Sequence, residues 1–339
     1  MISTSKGLIV GGLIIVALAI YTYAWLNLVV TSALSTLALL DNPSKVQFPL
    51  LPLQHCEKYT TRKTDHLQVV PHTISLVNLQ PVEMQYLNGT KDSLKKENLY
   101  AFENYIRSFE GGVSHAWISI LQNSRKEKQI VIDGGMNTGF YTILTAVMGY
   151  EVHAFDLQRD CFDVVQMLLE ANGVEKRANL YNMGIGGEVA VIQAGEGCNP
   201  GYYINMPESQ SATRQHMVAV IPLDLFLDQV RKDREIAILK LDIEGAEIPA
   251  LKGLVRHLRF CRNIIMEFSS AFSSRFVKKE EVKEQYQRLE RAGFVAHKLF
   301  SFRIPEDRWR DKDLLLSAGL KNLDEHPVLG TPIVRWAAL

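Results

Sequence analysis

Cysteine is scarce in this sequence. The four residues, Cys56, Cys161, Cys198 and Cys261, stand far apart, with no C-x-x-C pair and no histidine at ligand spacing. That pattern indicates neither a zinc site nor a disulfide framework, and it predicts ordinary core thiols. An excess of either charge is also missing: Lys plus Arg and Asp plus Glu both number 37. Nothing in the overall balance suggests a long counterion-releasing contact, so no nucleic-acid partner is expected. Internal repeats and low-complexity segments are absent from the body of the chain. With 47% hydrophobic residues in 339 positions, the chain can bury a large core, which excludes disorder and favours one large α/β domain with an appendage.

The appendage is N-terminal. From Gly7 to Leu40 the sequence carries no charged side chain, and Tyr21, Tyr23 and Trp25 lie within the run. A hydrocarbon core of roughly 30 Å needs about 20 apolar residues, so the run is long enough for one transmembrane helix, with the aromatics at an interface. It exceeds the h-region of about 7 to 15 residues usual in a cleaved signal peptide. Lys45, Lys58, Arg62 and Lys63 stand after the span while Lys6 alone precedes it, which favours a cytosolic domain. Against this, Asn88-Gly89-Thr90 is an acceptor sequon suited to a lumen. The expectation is a single-pass membrane protein whose domain lies on either side of the membrane, the secretory lumen being preferred over the cytosolic face. Prolines at 43, 49, 52, 71 and 81 break up the stretch after the anchor. The chain thus divides into an anchor over residues 1–40, a stem and lead-in over 41–95, and a catalytic unit over 96–339.

Within that unit, helical spacing at Leu99, Phe102, Tyr105, Ile106 and Phe109 ends at Gly111-Gly112, and VSHAWISILQNS reads as a second helix. Strand and helix signals then alternate: QIVIDGG, TGFYTILTAVMG, EVHAFD, CFDVVQMLLEANG, ANLYNMGIG, EIAILKLDIEG, EIPALKGLVRHL and NIIMEFSS. Such alternation describes a mostly parallel sheet with crossover helices, whose ligands bind at the carboxyl ends of the strands. Strand QIVID stops at Asp133, and the glycines after it permit close approach of a ligand. The loop reads D-G-G-x-N-x-G, which is not the G-x-G-x-x-G of a dinucleotide site. No lysine or arginine stands between Ile130 and Gln158, as suits a ligand without phosphates. Asp156, ending the second strand, is placed to accept hydrogen bonds from both ribose hydroxyls of an adenosine. Near the C-terminus, EEVKEQYQRLERAGFVAHKLF reads as helix, glycine stop and strand.

VIDGGMNTGFYTILTA, AFDLQ, LLEANG and above all LKLDIEGAEIPALKG resemble the FkbM-type methyltransferases, over roughly Ile130 to Phe300. The resemblance implies a Rossmann-like class I methyltransferase fold with helices on both faces of the sheet. It also implies S-adenosylmethionine as cofactor and a hydroxyl acceptor, on a sugar, glycan or other small molecule. Met136 stands where the family usually has alanine, and Asp156-Leu157 where it usually has glutamate and proline. By the resemblance Asp133, Gly135, Asn137 and Gly139, with Gly134 in the same loop, hold the amino-acid part of the cofactor. Asp156 holds the ribose, and Asn182 and Met183 flank the adenine.

Methyl transfer is an in-line displacement, so the enzyme chiefly aligns oxygen, methyl carbon and sulfur and helps remove a proton. Asp242 ends the fourth strand at the same cleft. Glu244 and Glu247, three apart, share a helical face if a helix begins at about Ile243. These acids are candidates for base and substrate anchor, or for ligands of a divalent metal. Glu267, at the end of NIIMEF, is a further candidate on the acceptor side. Two other readings compete: a tethered module that binds a nucleoside without turnover, and an NAD-dependent oxidoreductase, which the loop spacing disfavours.

Overall fold

In the computed structural model, residues 67–75, 79–89, 102, 105, 110–195, 197–198, 215–269, 277–299, 311–317 and 329–332 are described. The apolar run Gly7–Leu40 lies outside them. Among the described residues no helix is long and apolar enough to cross a membrane.

A hairpin of β1 (Val69–Ile74) and β2 (Val82–Leu87) comes first, followed by helix α1 (Gly111–Gln122). Next come β3 (Gln129–Gly134), α2 (Phe140–Val147), β4 (Glu151–Phe155), α3 (Asp160–Asn172) and β5 (Ala178–Tyr181). Three strands form a small separate sheet in the order β6-β8-β7: β6 (Gly184–Gly186), β7 (Ala190–Gly195) and β8 (Gln215–Pro222). After them come α4 (Leu223–Val230), β9 (Glu235–Leu241), α5 (Glu247–Lys252), β10 (Asn263–Ser269), α6 (Lys279–Arg291) and β11 (Val295–Leu299). The strands β12 (Asp311–Ser317) and β13 (Leu329–Pro332) come last.

The main sheet has the order β13-β11-β12-β10-β9-β3-β4-β5. The five strands from β10 to β5 pair in parallel, and β12, β11 and β13 add antiparallel pairings beside β10. The expected α/β architecture with a parallel centre is therefore present. Its central strands are near-continuous apolar runs because helices cover parallel strands: all six residues of β3 are buried. Helix α3 shows local chemistry agreeing with position, with Asp160 and Asp163 in the first turn against the positive helix end and Gly173 closing it in the left-handed conformation.

Two boundaries differ from expectation. Gly111 and Gly112, expected as a stop, are buried and open α1 itself. The β1–β2 hairpin, expected within a stem, packs into the core through Met84, Tyr86 and Leu87. Gln85 and Asn172 exchange hydrogen bonds of 2.7 and 2.9 Å, fastening the hairpin to α3. Pro71 pointed to a linker, yet proline is tolerated in a strand lying at a sheet edge, as it does here in a two-stranded sheet. The C-terminal helix, glycine and strand form as expected, but β11 sits between β12 and β13 instead of closing the edge.

Candidate active site

The turn after β3 determines the geometry. Gly135 and Gly139 have φ of +77°, and Asn137 between them has φ of +49°. A Cβ on Gly135 would lie 1.8 Å from the carbonyl oxygen of Asp242, so the loop can pass the end of β9 this closely only with glycine there. The loop then turns back toward β4. Asn137 N–H donates to Asp156 Oδ2 at 2.8 Å, and Gln158 N–H donates to Oδ1 at 2.8 Å. Asp156 is thereby locked in place, with lone pairs left over on both oxygens. Burial pushes its carboxyl up to about 6, against the pull of those two backbone donors.

Asp156 lines a cleft of about 560 Å³, within the usual range for small-molecule sites. Gly135, Met136, Asn137, Met183, Asp242, Glu244 and Glu267 share its wall, together with residues of β6 and β7. Thus the acids expected at the ends of the second and fourth strands, Asp156 and Asp242, face one cavity from either side of the glycine loop.

Several expected site residues sit behind that wall. Asp133 is fully buried, accepts a 2.6 Å hydrogen bond from Thr142 Oγ1, and has its pKa raised by burial. Gly134 packs against the Lys240 carbonyl, and Gly139 against Val165 of α3. Asn182 does not flank the cleft; its amide donates to the carbonyls of Asp156 and Leu157, at 3.0 Å each, and so ties two strand ends together. Glu247 is buried, with Oε1 accepting the N–H groups of Ile243 and Gly245 at 3.1 and 3.0 Å. The helix begins at Glu247 and not near Ile243, while Glu244 lies in the preceding turn at φ +53°, so the two glutamates share no helical face. Burial raises Glu247 to about 7 even though backbone donors oppose it. Its placement is that of a turn-closing cap.

The sequence reading missed three residues in the wall: Lys240, Glu110 and Tyr141. Lys240, the penultimate residue of β9, reaches Asp242 Oδ2 at 3.1 Å, the Gly135 carbonyl at 2.9 Å and Asp133 Oδ1 at 3.6 Å. Burial alone would lower its pKa, but Asp242 and Asp133 outweigh that and raise it. Conversely, burial would raise Asp242, but the Lys240 ammonium together with a hydrogen bond from Glu267 more than offsets it, so Asp242 is held below the usual carboxylate range. A cation is therefore present at the site, although none stands in the 130–158 segment. Alternation along β9 put Lys240 and Asp242 on the same side, a signal available in the sequence.

Asp242, Glu244 and Glu267 each offer an oxygen within 4.8 Å of the others. Asp242 and Glu267 are also hydrogen-bonding neighbours, a contact that needs a proton or a cation between the carboxyls. An all-oxygen set suits a hard divalent ion such as Mg²⁺.

Residues 133–296 match the family model described as the methyltransferase FkbM domain. That match to an FkbM methyltransferase domain spans just under half of the chain. Among solved structures it is similar to an rRNA methylase from Streptococcus thermophilus, at 15% identity over 62% of this chain and 97% of that one, with a TM-score of 0.38. It is similar also to methyltransferase FkbM from Methylobacillus flagellatus, at 19% identity over 57% of this chain and 44% of that one, with a TM-score of 0.38. A Streptococcus mutans protein in complex with SAH matches at 12% identity over 61% and 97% of the two chains, with a TM-score of 0.39. No curated protein sequence matches the chain. The expectation of no nucleic-acid partner is corrected at this point. Similar structures include one described as an rRNA methylase, so the balanced charge of a whole chain is not a criterion that sets such acceptors aside.

Outside the cleft, Cys161 and Cys198 form a disulfide, contrary to the expectation of core thiols; Cys261 is a free buried thiol, as expected. The pair is separated by 37 residues in sequence, and the fold brings their Cα atoms to 4.8 Å by laying the chain after β7 against the first turn of α3. Cysteine spacing alone carries no record of that approach.

Proposed function

We propose that the FkbM domain of this protein transfers the methyl group of S-adenosylmethionine to a hydroxyl oxygen of a glycan or other small-molecule acceptor. One observation carries the reading: a carboxylate fixed for ribose at the end of β4 and a second carboxylate at the end of β9 open into one cleft, on either side of a left-handed glycine loop. The adenosine half rests beside Asp156 and Met183, and the sulfonium comes past Gly135 toward Asp242. Glu267 and Glu244 stand with Asp242 on the acceptor side, either as acids alone or around a divalent ion. The acceptor is the open variable, and nucleic acid belongs in the screen beside glycans and small alcohols. An NAD-dependent oxidoreductase fits less well, because the loop is not a pyrophosphate cradle.

Calorimetry with S-adenosylhomocysteine and with NAD tests the reading. S-adenosylhomocysteine should bind and NAD should not, and Asp156→Ala should weaken binding by about 1.5 to 3 kcal/mol, the scale of hydrogen bonds to a charged acceptor. The ribose hydroxyls need the ionised carboxylate. Affinity should therefore be full well above pH 6 and fall as the pH drops through about 6, where Asp156 takes up its proton. Tight binding of NAD, or a folded Asp156→Ala protein with unchanged affinity, would overturn it.

We further propose that the domain is held at a membrane by the Gly7–Leu40 run and faces the secretory lumen. Two features support this side: the Cys161–Cys198 disulfide, since the cytosol keeps thiols reduced, and exposed Asn88 at the end of β2, heading the sequon. Full-length protein from a secretory host should resist carbonate extraction and show a glycosidase-sensitive shift that Asn88→Gln removes. Release by carbonate would sink the anchor, and a missing shift would sink the luminal assignment.

A further inference from the structure

Resting on Asp156 as the ribose contact of S-adenosylmethionine, we propose that Tyr86 of the β1–β2 hairpin is a positioning residue of the cofactor site, gripping Thr138 so that the Asn137 N–H stays on Asp156. The turn between β3 and α2 is fastened in two halves. Gly135 and Met136 N–H groups both donate to the Phe155 carbonyl at 3.0 Å, which ties the first half to the end of β4. The second half has different anchors. Asn137 N–H donates to Asp156 Oδ2 at the cleft, while Thr138 and Tyr86 are both 0% exposed and stand outside the cleft wall. There Thr138 Oγ1 lies 3.0 Å from the Tyr86 hydroxyl and 2.9 Å from that of Tyr105. Thr138 N–H in turn donates to Asn137 Oδ1 at 2.7 Å, which makes the two loop residues one unit.

Asn137 needs such a hold, because its φ of +49° is left-handed, and a residue with a side chain keeps that conformation only where its surroundings impose it. Holding Thr138 fixes the exit of the chain from Asn137, and with it the twist that aims the Asn137 N–H at the carboxylate. Withdrawing Thr138 from the two tyrosines would strand buried hydroxyls without partners, which is costly. The grip also has a firm support. Gln85, next to Tyr86, exchanges hydrogen bonds with Asn172 of α3, so the hairpin cannot drift from the loop it holds. The ring and the hydroxyl of Tyr86 have separable tasks: the ring packs edge-on against Phe140 with centroids 5.5 Å apart, a contact that phenylalanine would keep. Only the hydroxyl reaches Thr138. Tyr86 precedes residues 133–296, so the matched domain does not contain it, and it is the folding of the hairpin that brings it to the site.

The test is calorimetry on full-length protein with S-adenosylhomocysteine and with its analogue lacking both ribose hydroxyls. In Tyr86→Phe, S-adenosylhomocysteine should bind about 3- to 10-fold more weakly at about pH 7, the scale of one hydrogen bond, while the dideoxy analogue should bind as it does to the wild type. The pH profile should move as well. An Asp156 that loses a backbone donor holds its proton more tightly, so the fall in affinity that the wild type shows near about 6 should come at higher pH, and the loss should shrink as the pH rises. Lys240 and Asp133, the other charges acting on Asp156, are untouched by the substitution. Thr138→Val should give the same pattern, and combining it with Tyr86→Phe should add no further loss, as expected of two residues acting through one contact. Equal weakening of both probes with an unmoved pH profile overturns the proposal, since it would mark a packing role alone. So does a folded Tyr86→Phe protein with wild-type affinity. Wild-type protein that binds the dideoxy analogue as tightly as S-adenosylhomocysteine is a separate result, which removes the ribose contact of Asp156 and the role of Tyr86 with it; failure of both probes to bind the wild type removes the cofactor reading itself.

Discussion

Asp242→Asn should lower methyl-transfer turnover by about 10²- to 10⁴-fold while leaving S-adenosylhomocysteine affinity nearly unchanged, the usual scale for a lost general base. The expectation rests on the electron balance of the step. An oxygen lone pair forms the new C–O bond as the C–S bond breaks toward sulfur, and the hydroxyl proton must leave. An oxygen that has gained a methyl group is strongly acidic, so the proton acceptor need not be a strong base; it must be ionised and in reach. Lys240 holds Asp242 ionised, and its side chain, 32% exposed, opens on the cleft. The amide keeps the shape and can still accept from Lys240, but it takes up no proton. Single-turnover rates set beside calorimetric affinities would show binding and rate separating. A chelator divides the two remaining roles: loss of wild-type activity that Mg²⁺ restores indicates an ion among Asp242, Glu244 and Glu267, and indifference indicates a simple base. Turnover near the wild-type rate in Asp242→Asn would move the proton acceptor to Glu267 or Glu244.

The parts of this site legible in the sequence were those written by local rules. A buried strand, a glycine-rich turn and a terminal acid are read from neighbouring residues, and β3, its loop and the placement of Asp156 and Asp242 on one cleft follow from them. What failed depended on contacts far apart in the chain or on a shift of a few residues. Glu247 looked like chemistry because its helix was expected to start at Ile243; starting at Glu247, the helix turns that carboxylate back onto the Ile243 and Gly245 N–H groups of the preceding turn. The family resemblance implies an adenine contact for Asn182, yet two carbonyls just past the end of β4 claim its amide. Glu110 lies in a segment without strand periodicity or a motif, and its relevance appears only when α1 and α2 pack together. The hairpin was hidden by its prolines, and the disulfide by a spacing that means nothing until α3 and the chain after β7 meet.

That disulfide carries the second large expectation. Replacing Cys161 and Cys198 together by serine should destabilise the domain by about 3 to 4 kcal/mol, the chain-entropy value for a loop of 37 residues. For a body of this size that corresponds to a fall in Tm of about 6 to 16 °C. Both cysteines are buried, at 0% and 2% exposure, so a reductant should act slowly on the native protein and reach the same lowered Tm only after opening the structure. Cofactor binding should weaken as well. The cross-link fastens the chain just beyond β7, and Ala190 and Ile192 of β7 line the cleft, so a loosened strand must be ordered again whenever ligand enters. Melting curves with and without reductant, for wild type and for the double serine variant, measure the first effect; calorimetry with S-adenosylhomocysteine measures the second. Peptide mapping under non-reducing conditions supplies the control, since protein from a secretory host should yield the Cys161 and Cys198 peptides joined. Finding them separate and free in protein that melts no lower under reductant would remove the cross-link, and with it one of the two supports for a domain that works in an oxidising lumen.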